Sequence, residues 1–103
     1  MKISEGYSLE NLINRSLDMV FERIEELLDV RDDFCHCQEC VLDLIAYTLN
    51  RVTPLYGTSL LGSLHPNRKK EKKVQIEIDL AINAGIKRII EHPHHEDAKQ
   101  ETI

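Results

Sequence analysis

All three cysteines of the chain, Cys35, Cys37 and Cys40, lie in the single stretch "CHCQEC". Clustered thiols have three ordinary uses: ligating a soft metal ion, exchanging electrons as a redox pair, or packing as small buried hydrophobes. Cys37 and Cys40 form a C-x-x-C, a spacing that lets two thiolates converge on one ion from a tight turn entering a helix. Cys35 can add a third sulfur from the same turn. Cys40 falls in the first turn of the helix expected to follow, where the positive end of the helix dipole stabilises a thiolate. Zinc is the metal this donor set points to.

A structural zinc ion takes four ligands, and the cysteines provide three. His36 and His65 are candidates for the fourth. So are His92, His94 and His95, a carboxylate, a water or a partner subunit, and spacing alone does not choose among them. Two other readings stay open. A redox C-x-x-C of the thioredoxin kind needs a βαβ setting, and no strand is expected ahead of Cys37. Simple packing fits poorly with the polar neighbours His36, Gln38 and Glu39.

The elements that must position this turn are helical by their apolar spacing. Leu9, Leu12, Ile13, Leu17, Val20, Phe21, Ile24, Leu27 and Leu28 predict an amphipathic helix over 9–29, with Ser8 as N-cap and Glu10 in the first turn. A second helix is expected over 38–51, burying Val41, Leu42, Ile45, Leu49 and Val52 with Leu44 and Ala46 alongside, and stopped by Pro54. Residues 54–67, with two prolines and two glycines, read as a loop that Leu60, Leu61 and Leu64 pin to the core or to an interface. A third helix is expected over 67–91, on a stripe of Val74, Ile78, Ala81, Ile82, Gly85, Ile86 and Ile89. The alternation in "VQIEIDL", residues 74–80, also suits a strand, but the longer register favours helix. Gly85 in mid-helix costs up to ~1 kcal/mol against Ala and is expected to mark close helix packing.

The expected architecture is therefore all-α: one small domain over 1–92, with three main helices, a zinc-binding turn and a polar, disordered tail over 93–103. A chain of 103 residues suits a single domain, and one this small gains from a metal or a partner subunit. The formal net charge of -5 argues against a general nucleic-acid binder, whose affinity comes from excess Lys and Arg. No secretory h-region and no run near ~20 apolar residues is present, so a cytoplasmic, reducing setting without a membrane span is expected.

The run Cys35-x-Cys37-x-x-Cys40, followed by Asp43, Ala46, Leu49-Asn50, Pro54 and Tyr56, resembles the late competence development protein ComFB family. Residues 14–28 and 81–93 are similar to it more loosely, while "LLGSLHPNRKKEKK" departs from it. The resemblance implies a mostly helical homodimer that binds zinc through cysteines and acts as a regulatory or accessory protein, not an enzyme. Members are encoded among competence genes, which concern DNA uptake. Some relatives are cyclic dinucleotide receptors, an alternative function here; a thiol redox switch is a further one.

The remaining candidates are read from the residues. Asp43 is either a hydrogen-bond acceptor behind the metal turn or a solvent-facing carboxylate. Asn50 suits a helix C-cap, and Tyr56 suits packing with its hydroxyl in water. The basic run Arg68, Lys69, Lys70, Lys72 and Lys73 around Glu71 could receive phosphates together with Arg51, or be a solvated helix start. The tail "EHPHHED" is either a metal-binding segment or an unstructured end. No nucleophile elbow, Gly-rich phosphate loop or H-E-x-x-H is present, and no catalytic residue is assigned.

Overall fold

The computed structural model describes residues 2–58 and 68–92. Its elements run α1 (Ile3–Gly6), β1 (Leu12–Asn14), α2 (Arg15–Val30), α3 (Gln38–Leu49), β2 (Tyr56–Thr58) and α4 (Arg68–Glu91). The architecture is mostly helical with a small two-stranded sheet, which corrects the all-α expectation. β1 and β2 pair antiparallel, with Leu12 opposite Thr58, Ile13 opposite Gly57 and Asn14 opposite Tyr56.

The helix expected over 9–29 starts instead at Arg15, and Ser8 caps nothing helical. Asn14 is the N-cap: its side-chain oxygen accepts from the Ser16 amide at 3.1 Å and from the Leu55 amide at 2.8 Å. The same Asn14 ends β1, so the chain passes from strand to helix at one residue. The apolar spacing ran on upstream because β1 is too short for its pattern to be distinguished from a helical one. Leu9, Leu12 and Ile13 are accordingly exposed.

α3 ends at Leu49 with Asn50 at the C-cap, its amide reaching the Ala46 carbonyl at 3.0 Å. Of its expected stripe, Val52 is buried, Val41, Ile45 and Leu49 pack against the core half-buried, and Leu42 alone faces away. Cys40, Leu44 and Thr48 are fully buried, Val41, Ile45 and Leu49 flank them, and Leu42 is exposed. α3 packs against both α2 and α4, and the row Cys40, Leu44 and Thr48 is its most deeply buried line. In the segment read as loop, Tyr56–Thr58 is a strand; Leu60, Leu61 and Leu64 lie outside the described residues.

α4 buries all seven residues of its expected stripe. The strand alternative for 74–80 fails on burial: Val74 and Ile78 are buried, while Ile76 and Leu80 are 63% and 69% exposed. Gly85 marks a close crossing, since a Cβ there would stand 2.7 Å from Leu44 Cδ1 and 3.0 Å from Tyr47 Cδ1. The core joins Met19, Val20, Ile24 and Leu27 of α2 to Phe34, Cys40, Leu44 and Val52, and to the α4 stripe.

Polar contacts fix how the three long helices meet. Ser16 Oγ, fully buried, donates to the Thr53 carbonyl at 2.6 Å. Thr53 in turn donates to Glu77 of α4 through its amide at 3.0 Å and its hydroxyl at 3.1 Å. Arg23 of α2 pairs with Asp79 of α4 at 3.1 Å. Thus the 50–55 segment is tied to the start of α2 on one side and the middle of α4 on the other. No described helix is long and apolar enough to cross a membrane.

Candidate metal centre

The connection from α2 to α3 carries the cysteines. The Arg31 amide closes α2 on the Leu27 carbonyl at 2.8 Å, and the Arg31 guanidinium grips Asp33 through two donors. Phe34 then drops into the core, which draws Cys35 inward behind it. Cys37 is the N-cap of α3, and its Sγ accepts from the Cys40 amide at 3.4 Å. This is the local reason for the C-x-x-C spacing: the capping sulfur and the residue three positions on face the same point.

The ligating atoms of Cys35, Cys37 and Cys40 all lie within 4.8 Å of one another. Sulfurs around a tetrahedral zinc, at ~2.3 Å from the ion, stand about 3.8 Å apart. Closing the remaining distance takes side-chain rotation, not a change of fold. Cys40 is fully buried, while Cys35 and Cys37 are half-buried. The Cys35 thiol is held below its ordinary pKa by hydrogen bonding from Cys37, chiefly the backbone amide and then the side chain; Glu39 and partial burial oppose this. A thiolate-favouring turn at a helix start, with three converging sulfurs, fits zinc by donor type and by placement.

The histidine candidates separate. The His36 ring stacks on Phe34, centroids 4.7 Å apart and tilted by 55°, and is not part of the three-sulfur group. His92 directly follows α4, its amide bonded to the Arg88 carbonyl at 2.8 Å. His65, His94, His95 and the rest of the tail lie outside the described residues. Asp43 is exposed and accepts no hydrogen bond from the turn among the described residues.

Other candidates lie elsewhere. Arg68, Lys69 and Lys70 are exposed at the start of α4, and Glu71 pairs with Arg15 at 3.3 Å. Arg51 stacks on Tyr47 at 3.5 Å and donates to the Tyr47 carbonyl at 3.0 Å. The second cation at that ring is Arg88, 5.9 Å from its centroid. Arg68 begins the same helix about 30 Å before Arg88 at ~1.5 Å per residue. Arg51 is therefore joined by a residue that sequence spacing did not mark. Tyr56 is exposed and lines an apolar groove of about 530 Å³ with Leu12, Asn14, Leu17, Leu49, Val52 and Pro54. Sequence reading also missed Asn14, Ser16, Thr53 and Glu77; Asn14's strong N-cap preference was the one signal available.

A mostly helical domain, with a three-cysteine turn at the head of its central helix, is the class that fold and site define. The chain belongs to the late competence development protein ComFB family, whose family model matches residues 13–93. No curated protein and no solved structure matches the chain.

Proposed function

We propose that this protein is a non-catalytic, competence-associated accessory protein whose Cys35, Cys37 and Cys40 hold a structural zinc ion. The observation that carries this is the convergence of three sulfurs within 4.8 Å where α2 turns into α3. Family membership supports the accessory role. Bound zinc would cross-link that turn and add folding free energy to a small core. Cys40 would couple the ion to the core directly, because it packs with Leu44 and Phe34 in one cluster. A homodimer belongs to this proposal, supported by the exposed Ile76 and Leu80 on α4 and Leu42 on α3.

The test is elemental analysis of the protein purified without added metal, together with its mass in solution. About one zinc per chain, lost in Cys37→Ser, supports the reading. Three thiols that titrate freely with no metal present would overturn it.

A second reading, a cyclic dinucleotide receptor, is favoured by the basic start of α4. Glu71, the one acid within that run, pairs with Arg15 of α2. A ligand that binds only the folded state raises the melting temperature. A panel of cyclic dinucleotides that leaves it unchanged at saturating concentration would exclude this reading.

A further inference from the structure

Three sulfurs are one more than a disulfide takes and one fewer than a structural zinc ion takes. The Sγ atoms of Cys35, Cys37 and Cys40 lie within 4.8 Å of one another, so oxidation and metal ligation draw on the same atoms. Which two sulfurs an oxidant joins follows from where each cysteine sits.

Cys37 and Cys40 share the first turn of α3. The Cys37 carbonyl accepts from the Val41 amide at 3.0 Å, and the Cys37 Sγ accepts from the Cys40 amide at 3.4 Å. Residues three apart on a helix have Cα atoms about 5 Å apart, inside the roughly 4.4–6.8 Å that a disulfide spans. Side-chain rotation therefore brings these two sulfurs together while the α3 backbone stays in place. Cys35 precedes the helix, directly after Phe34, whose ring is buried in the core. Access separates the pair further. Cys37 is half-buried at the surface, whereas Cys40 is fully buried in the cluster that holds Leu44 and Phe34.

We propose that Cys37 and Cys40 are a peroxide-oxidised pair, in which Cys37 is the sulfur oxidised first and Cys40 the sulfur that resolves it into a disulfide. The Cys37 thiolate attacks one oxygen of hydrogen peroxide; the O–O bond breaks, leaving a sulfenic acid on Cys37 and a hydroxide that picks up a proton. The Cys40 sulfur then attacks the Cys37 sulfur. The S–S bond forms as the S–O bond breaks, and the departing hydroxide leaves as water with the Cys40 proton. Two thiols are oxidised and one peroxide is reduced to two waters. Cys35 remains the one thiol of the chain. Thiolates, not disulfides, ligate metal, so closure releases zinc from the turn. That consequence rests on the zinc reading above; closure of the disulfide does not.

The test treats the full chain, as purified, with hydrogen peroxide and then alkylates the remaining thiol. Cleavage after Glu39, which lies between Cys37 and Cys40, leaves two peptides that only a disulfide to Cys40 can join. Joined peptides are expected, with tandem mass spectra placing the alkyl group on Cys35 and with dithiothreitol separating them. Cys35→Ser keeps the link, and Cys37→Ser loses it. A chelating dye in the same samples should report zinc released in proportion to the linked fraction. A link that forms in protein without zinc at the outset supports the pair and removes the zinc reading. A Cys35–Cys37 bond, a disulfide between two chains, sulfinic acid without a link, or a link undiminished in Cys37→Ser overturns the proposal.

Discussion

Gly85 of α4 faces Leu44 of α3 so closely that a Cβ on the glycine would stand 2.7 Å from Leu44 Cδ1. Leu44 is fully buried, and the neighbouring half-buried Tyr47 ring carries Arg51 at 3.5 Å from its centroid. Gly85→Ala gains up to ~1 kcal/mol of helix propensity. Overpacking costs ~1–3 kcal/mol, and here it wins. The expected net loss is about 1 kcal/mol, and larger for Gly85→Val, measured by urea denaturation. A stabilised Gly85→Ala would show that the α3–α4 crossing is slack.

Asn14 satisfies two backbone amides, those of Ser16 and Leu55. Loss of an N-cap costs ~0.5–2 kcal/mol; the second amide places Asn14→Ala at the upper end of that range. Ser8→Ala should be neutral, since residue 8 precedes no helix. Paired thermal melts of the two variants check the assignment of the cap.

Glu77 receives the Thr53 amide first and its hydroxyl second, and both hold its carboxyl below the ordinary value of 4.5. A carboxyl whose folded pKa is depressed contributes stability that is complete above its unfolded pKa and is lost as pH falls through the folded one. Wild type should therefore exceed Glu77→Gln in stability at neutral pH, with the gap closing below about pH 4. A gap that is constant between pH 7 and pH 3 would mean the bonds to Thr53 do not depend on the charge.

A chelator tests the cysteine turn. Zinc removal should lower the melting temperature of the wild type and leave Cys37→Ser, already metal-free, unaffected, because the ion's binding free energy is folding free energy. A Cys37→Ser/Cys40→Ser double variant as stable and helical as the wild type would remove the case for a structural ion.

Much of this protein was legible in the sequence. The α4 stripe was read in full because a helix covered on one face repeats its apolar residues at i, i+4 and i+7 over several turns. The cysteine cluster was legible because a turn leading into a helix brings nearby residues together by local geometry alone. The ComFB pattern over the central region was visible for the same local reason. Reading failed where two distant segments decide one residue's state. Leu9, Leu12 and Ile13 continued a helical pattern, yet residues 12–14 became a strand because 56–58 lie alongside.

The sequence by itself determined the courses of α3 and α4, the turn that gathers three sulfurs, and the glycine at the close α3–α4 crossing. Only the tertiary structure decided that Cys40 and Thr48 of α3 are fully buried while Leu42 is exposed. It also decided that His36 lies on Phe34 and that Arg88 joins Arg51. The physical reason is range: capping and helical spacing act over a few residues, whereas burial and charge pairing depend on groups that folding alone brings together.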